Sequence, residues 1–182
     1  MEEFLNKLSS YEFFVNFVPG CLLSWLLKIL YDIEIISQSS DATNVVRQFC
    51  AWYLIGLIVN RIGSAVIEPI YKKMGIVEFA PYEAFMQAEE KDKKIALLSE
   101  VNNFYRSLIS MCVISSVIGG FLHVDKFVGF FANNWQAIML IALILIFSFS
   151  YRFQTNYVRK RVYRYTRNKE NNDESNSTKV EN

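Results

Sequence analysis

The sequence predicts an all-α integral membrane protein, in which a four-helix bundle carries a cytoplasmic helical extension. Of its 182 residues, 52% are hydrophobic and 20% are charged, and the mean hydropathy is +0.17. Soluble domains carry about 25% charged residues. The hydrophobic residues also fall in four blocks, each close to the roughly 20 residues that a helix needs to cross a bilayer. A soluble enzyme, a basic nucleic-acid-binding domain and a disordered chain are therefore poor fits.

The four blocks define the predicted membrane spans. The fourth is almost uninterrupted, whereas the first two contain Lys28 and Arg61, so a hydropathy window could miss either and a two-span alternative remains open. The predicted spans are residues 13–33, 49–67, 108–124 and 135–151.

The distribution of positive charge favours four spans. With four, Arg47 and Lys126 are the only lysines or arginines in the connections on one side, and all the others outside the spans fall on the opposite side. Because positive residues favour the cytoplasmic face, both termini are expected in the cytoplasm of a bacterial inner membrane. The acidic start and the long apolar run indicate that the first span is retained.

The long loop at residues 68–107 is the only place for structure outside the membrane between spans. Pro69 is expected to end or kink the second helix. Pro81 can open a new helix, and no Pro or Gly follows before the third span, so one continuous helix is expected there. Residues 152–182 are predicted to form a basic juxtamembrane segment followed by a disordered polar tail.

Small and polar residues recur every four positions in the first two spans, which places them on one helix face. Such stripes are typical of closely packed membrane helices, and a hydrated pore along them is the alternative. The members are Asn16, Gly20, Ser24, Lys28 and Asp32 in the first span, and Gly56, Asn60, Ser64 and Glu68 in the second.

Arg61 is the most informative single residue, because a charge within a span is costly and usually faces the bundle interior or a water-filled cavity. It lies about 9 Å from the end of its predicted span, so its side chain can also reach the interface. Glu12, Glu68 and Glu100 are candidate partners. Arg61 is therefore expected in a structural ion pair or at the interface, with gating as the alternative.

Two further features of the first span have competing interpretations. Pro19-Gly20 is a candidate hinge, although a fixed bend is the simpler interpretation. Lys28 is near the outer end and is expected to reach the interface and to pair with Asp32.

The segment after the fourth span alternates basic and aromatic residues. This pattern suits anionic lipid headgroups, and phosphate contacts with stacking would let it bind nucleic acid instead. Its cations are Arg152, Arg159, Lys160, Arg161, Arg164 and Arg167.

Catalytic chemistry is not indicated. The three cysteines lie in apolar stretches, and the single histidine does not suit a multi-histidine metal site. No nucleophile elbow, P-loop or zinc-protease motif occurs. No enzymatic activity, cofactor or metal is expected.

In size, in charged spans such as LIVNRIGSAVI and in the basic tail YVRKRVYRYTR, the chain resembles short multi-span membrane proteins of bacterial anti-phage systems. Examples are the transmembrane effectors of retrons and of cyclic-nucleotide systems, and the membrane subunit of Kiwa. The resemblance implies an inner-membrane effector that oligomerises and perturbs the membrane to stop growth, with the polar faces around Asn60 and Arg61 lining the assembly.

Two other functions remain open on the sequence alone. The chain could be a membrane anchor or scaffold that recruits a soluble protein or ribonucleoprotein, or it could be a small channel or carrier. The partners expected from the sequence are anionic lipids, further copies of the chain and a cytoplasmic protein.

Overall fold

A computed structural model describes residues 2–35, 42–122 and 135–180, and within these ranges the chain is helical and contains no strand. A π-helical turn, Gly63–Ile67, joins α2 to α3. The α-helices are α1 (Glu2–Tyr31), α2 (Ala42–Ile62), α3 (Glu68–Lys73), α4 (Tyr82–Lys91), α5 (Lys94–Leu122) and α6 (Trp135–Val180).

Four helical segments are long and apolar enough to cross a membrane, which confirms the predicted number of spans and indicates a multi-pass membrane protein. The second and fourth extend well beyond their predicted ends. Residues 123 and 124, the predicted end of the third span, lie outside the described residues. The segments are Phe13–Tyr31, Thr43–Lys73, Lys94–Leu122 and Trp135–Arg167.

Pro69 does not end the helical structure of the second span, because a π-helical turn precedes it and α3 continues beyond it. The backbone N–H of Glu68 bonds to the carbonyl oxygen of Gly63, five residues back. A proline lacks an N–H and crowds the carbonyl four residues before it. The wider turn accommodates that crowding, which is how membrane helices tolerate prolines.

The prediction of one helix from Pro81 into the third span is wrong, because the helix breaks at Asp92. Asp92 has an extended backbone (φ −130°, ψ 92°) after the last residue of α4. Its Oδ1 accepts a hydrogen bond from the backbone N–H of Lys94 (3.1 Å), the first residue of α5. The Asp92 side chain therefore caps the start of α5 from two residues before it, since its carboxylate satisfies an otherwise unpaired helix N–H.

The tail also differs from expectation. We predicted disorder in the polar stretch that follows Arg167, and α6 instead continues to Val180. That stretch contains no proline or glycine, so no residue interrupts the helical hydrogen bonds.

The interior forms where α1, α2 and α5 contact one another, while α6 packs along α5. The outward faces of α6 carry exposed apolar side chains such as Ile138, Leu145 and Phe149. The buried residues of the main cluster are Leu23, Leu26, Leu27, Leu30, Val59, Leu108, Met111, Cys112 and Leu140.

A separate cluster lies at the end of the bundle that carries α4, hereafter the α4 end. Ala88 and Ile95 pack there against Val158 and Val162 of α6. The cluster joins α4, the start of α5 and the extension of α6 into one unit, which we call the α4-end unit.

Candidate functional site

A close crossing of α1 and α2 positions the site. Gly20 and Gly56 face each other across it, and a Cβ on either residue would overlap backbone atoms of the opposite helix. Pro19 is fully buried beside this crossing. The small residues of the two stripes therefore serve packing within the chain, and the Pro19-Gly20 pair lies in a packed crossing, which favours a fixed bend over a hinge.

One turn toward the α4 end, the same two helices exchange polar contacts. Asn60 Nδ2 donates to Asn16 Oδ1 (2.8 Å), and Ser64 Oγ donates to the carbonyl oxygen of Asn60 (3.1 Å). Arg106 of α5 donates from Nη2 to Asn60 Oδ1 (3.3 Å). Three helices thus meet through side-chain hydrogen bonds at one level, which we call the polar layer.

Glu68 completes the polar layer, but its partner is not the one considered from the sequence. It forms ion pairs with Arg106 Nη1 and with Lys72 Nζ (2.7 Å). Sequence reasoning offered Glu68 as a partner for Arg61 and missed Arg106, which it counted among the loop cations. Gly63 lies against Arg106, and a Cβ there would be at an ordinary contact distance of 3.4 Å from Arg106 Cγ. Only the packing of α5 against α2 reveals this.

The polar layer lies at the edge of the apolar part of the bundle. Between it and the far end of the bundle, α1 rises about 22 Å from Asn16 to Tyr31 and α5 rises about 24 Å from Arg106 to Leu122. Both rises are shorter than a hydrocarbon core of about 30 Å. In a bilayer, the layer would therefore lie inside the hydrocarbon core on the side of the α4 end, where long side chains such as arginine can still reach toward the headgroups.

A cavity of about 290 Å³ opens beside the polar layer, between α1, α2 and α5. Arg61 lines it and is exposed, whereas the Arg106 side chain is only 10% exposed. The walls are mainly polar, so water can fill the cavity. They comprise Val15, Asn16, Tyr53, Leu57, Asn60, Arg61, Ser64, Glu100, Asn103 and Arg106.

Polar contacts that sequence reasoning missed also join α6 to its neighbours. Thr155 Oγ1 donates to Asn102 Oδ1 (2.8 Å) in a fully buried contact. The hydroxyl groups of Tyr71 and Ser148 lie 2.6 Å apart. Threonine and asparagine side chains commonly form hydrogen bonds between membrane helices. The sequence does not show which residues on two distant helices pair, because neither residue belongs to a recurring pattern.

Lys28 lies at the opposite end of the bundle and takes no part in the polar layer. Its Nζ pairs with Asp32 (2.8 Å), as their spacing predicts. Asp32 has a left-handed backbone (φ 55°) and follows the last residue of α1, a conformation that aspartate tolerates better than most residues. The hydrogen bond and the positive charge of Lys28 lower the pKa of the Asp32 carboxyl group.

The basic segment of α6 divides into inward and outward cations. Arg159 Nη1 pairs with Glu78 (2.6 Å), and Arg161 Nε pairs with Asp92 (2.5 Å). Arg159 therefore joins α6 to the segment before α4, and Arg161 joins it to the residue between α4 and α5. The other predicted contact residues, namely Arg152, Lys160, Arg164 and Arg167, are exposed.

The ionised form of Asp92 is favoured in the fold. Burial of the carboxyl group raises its pKa, but hydrogen bonds from Arg161 and from the Lys94 backbone N–H, together with the positive charge of Arg161, outweigh that effect. The net result is a pKa below the ordinary value of 3.8. Asp92 is therefore a carboxylate at neutral pH and joins the start of α5 to α6.

Among the described residues, no group of three or more His, Cys, Asp or Glu side chains is arranged to hold a metal ion. The polar layer instead offers arginine, amide and hydroxyl donors around a hydrated space. Such a set can neutralise and orient an anion through charge-assisted hydrogen bonds.

No protein-family model matches this chain, and no curated protein or solved structure gives a significant match.

Proposed function

We propose that the chain is a multi-pass anchor in the bacterial inner membrane, with both termini in the cytoplasm, whose α4-end unit recruits a soluble partner protein of an anti-phage defence system. The observation that carries this proposal is that α4, the start of α5 and the extension of α6 form a unit with its own apolar cluster. Two ion pairs, Arg159–Glu78 and Arg161–Asp92, also join α6 to the residues on either side of α4.

The α4-end unit presents a surface suited to a partner. Tyr82 and Met86 lie one turn apart on α4 and are 75% and 40% exposed. Exposed aromatic and methionine side chains are enriched at protein interfaces. On α6, the outward cations Lys160, Arg164 and Arg167 add a positive strip for anionic lipid headgroups or for an acidic or ribonucleoprotein partner.

The membrane part of the bundle supports an anchor better than a pore in a single chain. The small residues that could line a path instead pack α1 against α2 at Gly20 and Gly56. Beyond the polar layer, the interior contains buried leucines, valine and methionine. The lysines and arginines of the loop and of the tail lie at the α4 end, which favours a cytoplasmic location for that end.

Co-expression tests the anchor. The full chain should form a stable complex with the product of the neighbouring gene, and Tyr82→Ser with Met86→Ser should abolish the complex. Met74→Ser removes an equally exposed apolar side chain from the α3 side and should preserve it. A complex that survives the double substitution would exclude this surface as the docking site.

An effector that oligomerises and perturbs the membrane is the second candidate function. The specific observation in its favour is that Arg61, within a candidate span, is exposed beside the cavity. A second copy covering this side would shield the charge. Expression of the chain alone should then depolarise the membrane and stop growth, and Arg61→Ala at matched expression should relieve both effects. Normal growth and potential at high expression would exclude autonomous membrane damage.

A further inference from the structure

The cavity beside the polar layer has a net positive wall. Its lining residues include two arginines, Arg61 and Arg106, and one glutamate, Glu100. Glu68 and Lys72 lie behind Arg106 and cancel each other's charge. Among the described residues one positive charge is therefore in excess at this wall, and a bound anion would neutralise it.

The donors of the wall suit an oxyanion in particular. Arg106 is paired with Glu68, whereas Arg61 is exposed and lines the cavity. Asn103 and Tyr53 contribute an amide and a hydroxyl group to the same wall. Arginine is the preferred side chain for phosphate because its donors match two oxygens at once.

Depth and size also fit a phosphate group. In a bilayer, the long and exposed side chain of Arg61 can reach from the polar layer toward the headgroup region, where the phosphates of membrane lipids are found. A volume of about 290 Å³ holds several water molecules at roughly 30 Å³ each, so a phosphate ester can enter with part of its hydration.

We propose that the cavity between α1, α2 and α5 is a binding site for a phosphate ester anion, with Arg61 as its principal ligand. The geometry favours the headgroup of an anionic phospholipid, and a soluble phosphate compound has the same chemistry. The site requires that the bundle lies in a bilayer, but it depends on neither the anchor nor the effector function.

The test uses the purified full chain. Native mass spectrometry counts the lipids retained from phosphatidylglycerol and from phosphatidylcholine. In a second arm, inorganic phosphate is titrated into the protein in a neutral detergent while thermal unfolding is followed. The unsubstituted chain should retain one phosphatidylglycerol more tightly than phosphatidylcholine, and Arg61→Gln should weaken that binding about tenfold, which corresponds to the loss of a charge-assisted hydrogen bond.

Arg47→Gln is the matched control, since it removes an exposed arginine from the opposite end of the same helix. It should retain phosphatidylglycerol as the unsubstituted chain does. This result would distinguish binding at the cavity from a general attraction of anionic lipids to surface arginines. Asn103→Leu, which removes a wall amide at similar volume, should also weaken binding and provides a second variant if Arg61→Gln does not fold.

The two arms distinguish the sources. Arg61-dependent lipid retention identifies a headgroup, whereas Arg61-dependent stabilisation by inorganic phosphate without lipid retention identifies a soluble ligand. Equal lipid retention by folded Arg61→Gln and Arg47→Gln, with no Arg61-dependent effect of phosphate, would overturn the proposal.

Discussion

Gly20 and Gly56 face each other so closely that α1 and α2 touch through their backbones. A Cβ on Gly56 would overlap the carbonyl oxygen of Asn16, and one on Gly20 would overlap the carbonyl oxygen of Trp52. The same crossing brings Asn16 to Asn60 and so sets the position of the polar layer.

Gly56→Ala should therefore destabilise the protein strongly. The added methyl group can be accommodated only if the two helices move apart, and overpacking of this kind costs about 1–3 kcal/mol or more. Thermal unfolding in detergent measures the effect. Gly63→Ala is the control, because its nearest neighbour would be a flexible side-chain atom at 3.4 Å. Equal losses of stability for the two variants would contradict a backbone-limited crossing.

The polar layer predicts an asymmetry between the two partners of Glu68. Arg106→Gln removes the partly buried partner, whose side chain is 10% exposed, and Lys72→Gln removes one that is 49% exposed. Loss of a buried pair costs about 3–5 kcal/mol when one charge remains unpaired. Because Lys72 would still pair with Glu68, we expect about 2 kcal/mol for Arg106→Gln, and less than about 1 kcal/mol for Lys72→Gln, as for exposed pairs.

Equilibrium unfolding of the two single variants and of Glu68→Gln measures these losses. The double variant Arg106→Gln with Glu68→Gln should lose less stability than the sum of the losses in the two single variants, since the two residues share one contact. Simple additivity would show that Arg106 and Glu68 do not interact.

The Asp92–Arg161 pair should control the local stability of α4. Asp92→Asn weakens the bond to α6 and the cap of α5 together, and we expect a loss of roughly 1 kcal/mol, between that of an exposed pair and that of a charge-assisted hydrogen bond. Hydrogen exchange of the α4 amides measures the opening. Glu78→Gln is the control, since Glu78 is 70% exposed in its pair with Arg159 and should have a smaller effect. Exchange that is unchanged in Asp92→Asn would exclude this role.

The same pair predicts a pH dependence. Because the pKa of Asp92 is lower in the folded chain than its ordinary value of 3.8, its contribution is fully present above that value. It is lost as the pH falls through the lower pKa of the folded state. The protection factors of the α4 amides, which correct for the intrinsic pH dependence of exchange, should therefore fall on acidification below about pH 4, and the Asp92→Asn variant should lack this component. The same change in protection on acidification in both proteins would contradict a contribution from ionised Asp92.

The proposed topology predicts the sides of the connections. A green fluorescent protein fused after Asn182 should fluoresce and alkaline phosphatase at the same place should be inactive, because the α4 end carries most of the basic residues. Alkaline phosphatase inserted between residues 36 and 41 should be active. The reverse pattern would place the α4 end outside the cytoplasm.

Interactions between residues that are close in the sequence determine much of the membrane architecture. Four apolar blocks of membrane length require helices, because a backbone in lipid must satisfy its own hydrogen bonds, and the pairing of Lys28 with Asp32 follows from a spacing of one helical turn. The positions at which helices are interrupted do not follow from local sequence alone. The effect of Pro69 depends on the π-helical turn before it, and the end of α4 depends on Asp92 binding both Lys94 and Arg161.

The sequence by itself determined that this chain forms four membrane-length helices with small and polar stripes and a basic extension. Only the tertiary structure decided what those stripes contact. It paired Glu68 with Arg106 rather than Arg61, used Gly20 and Gly56 for packing, and left Arg61 at a cavity. The physical reason is that spacing along a helix fixes which residues share a face, whereas the rotation and crossing of neighbouring helices fix which faces meet.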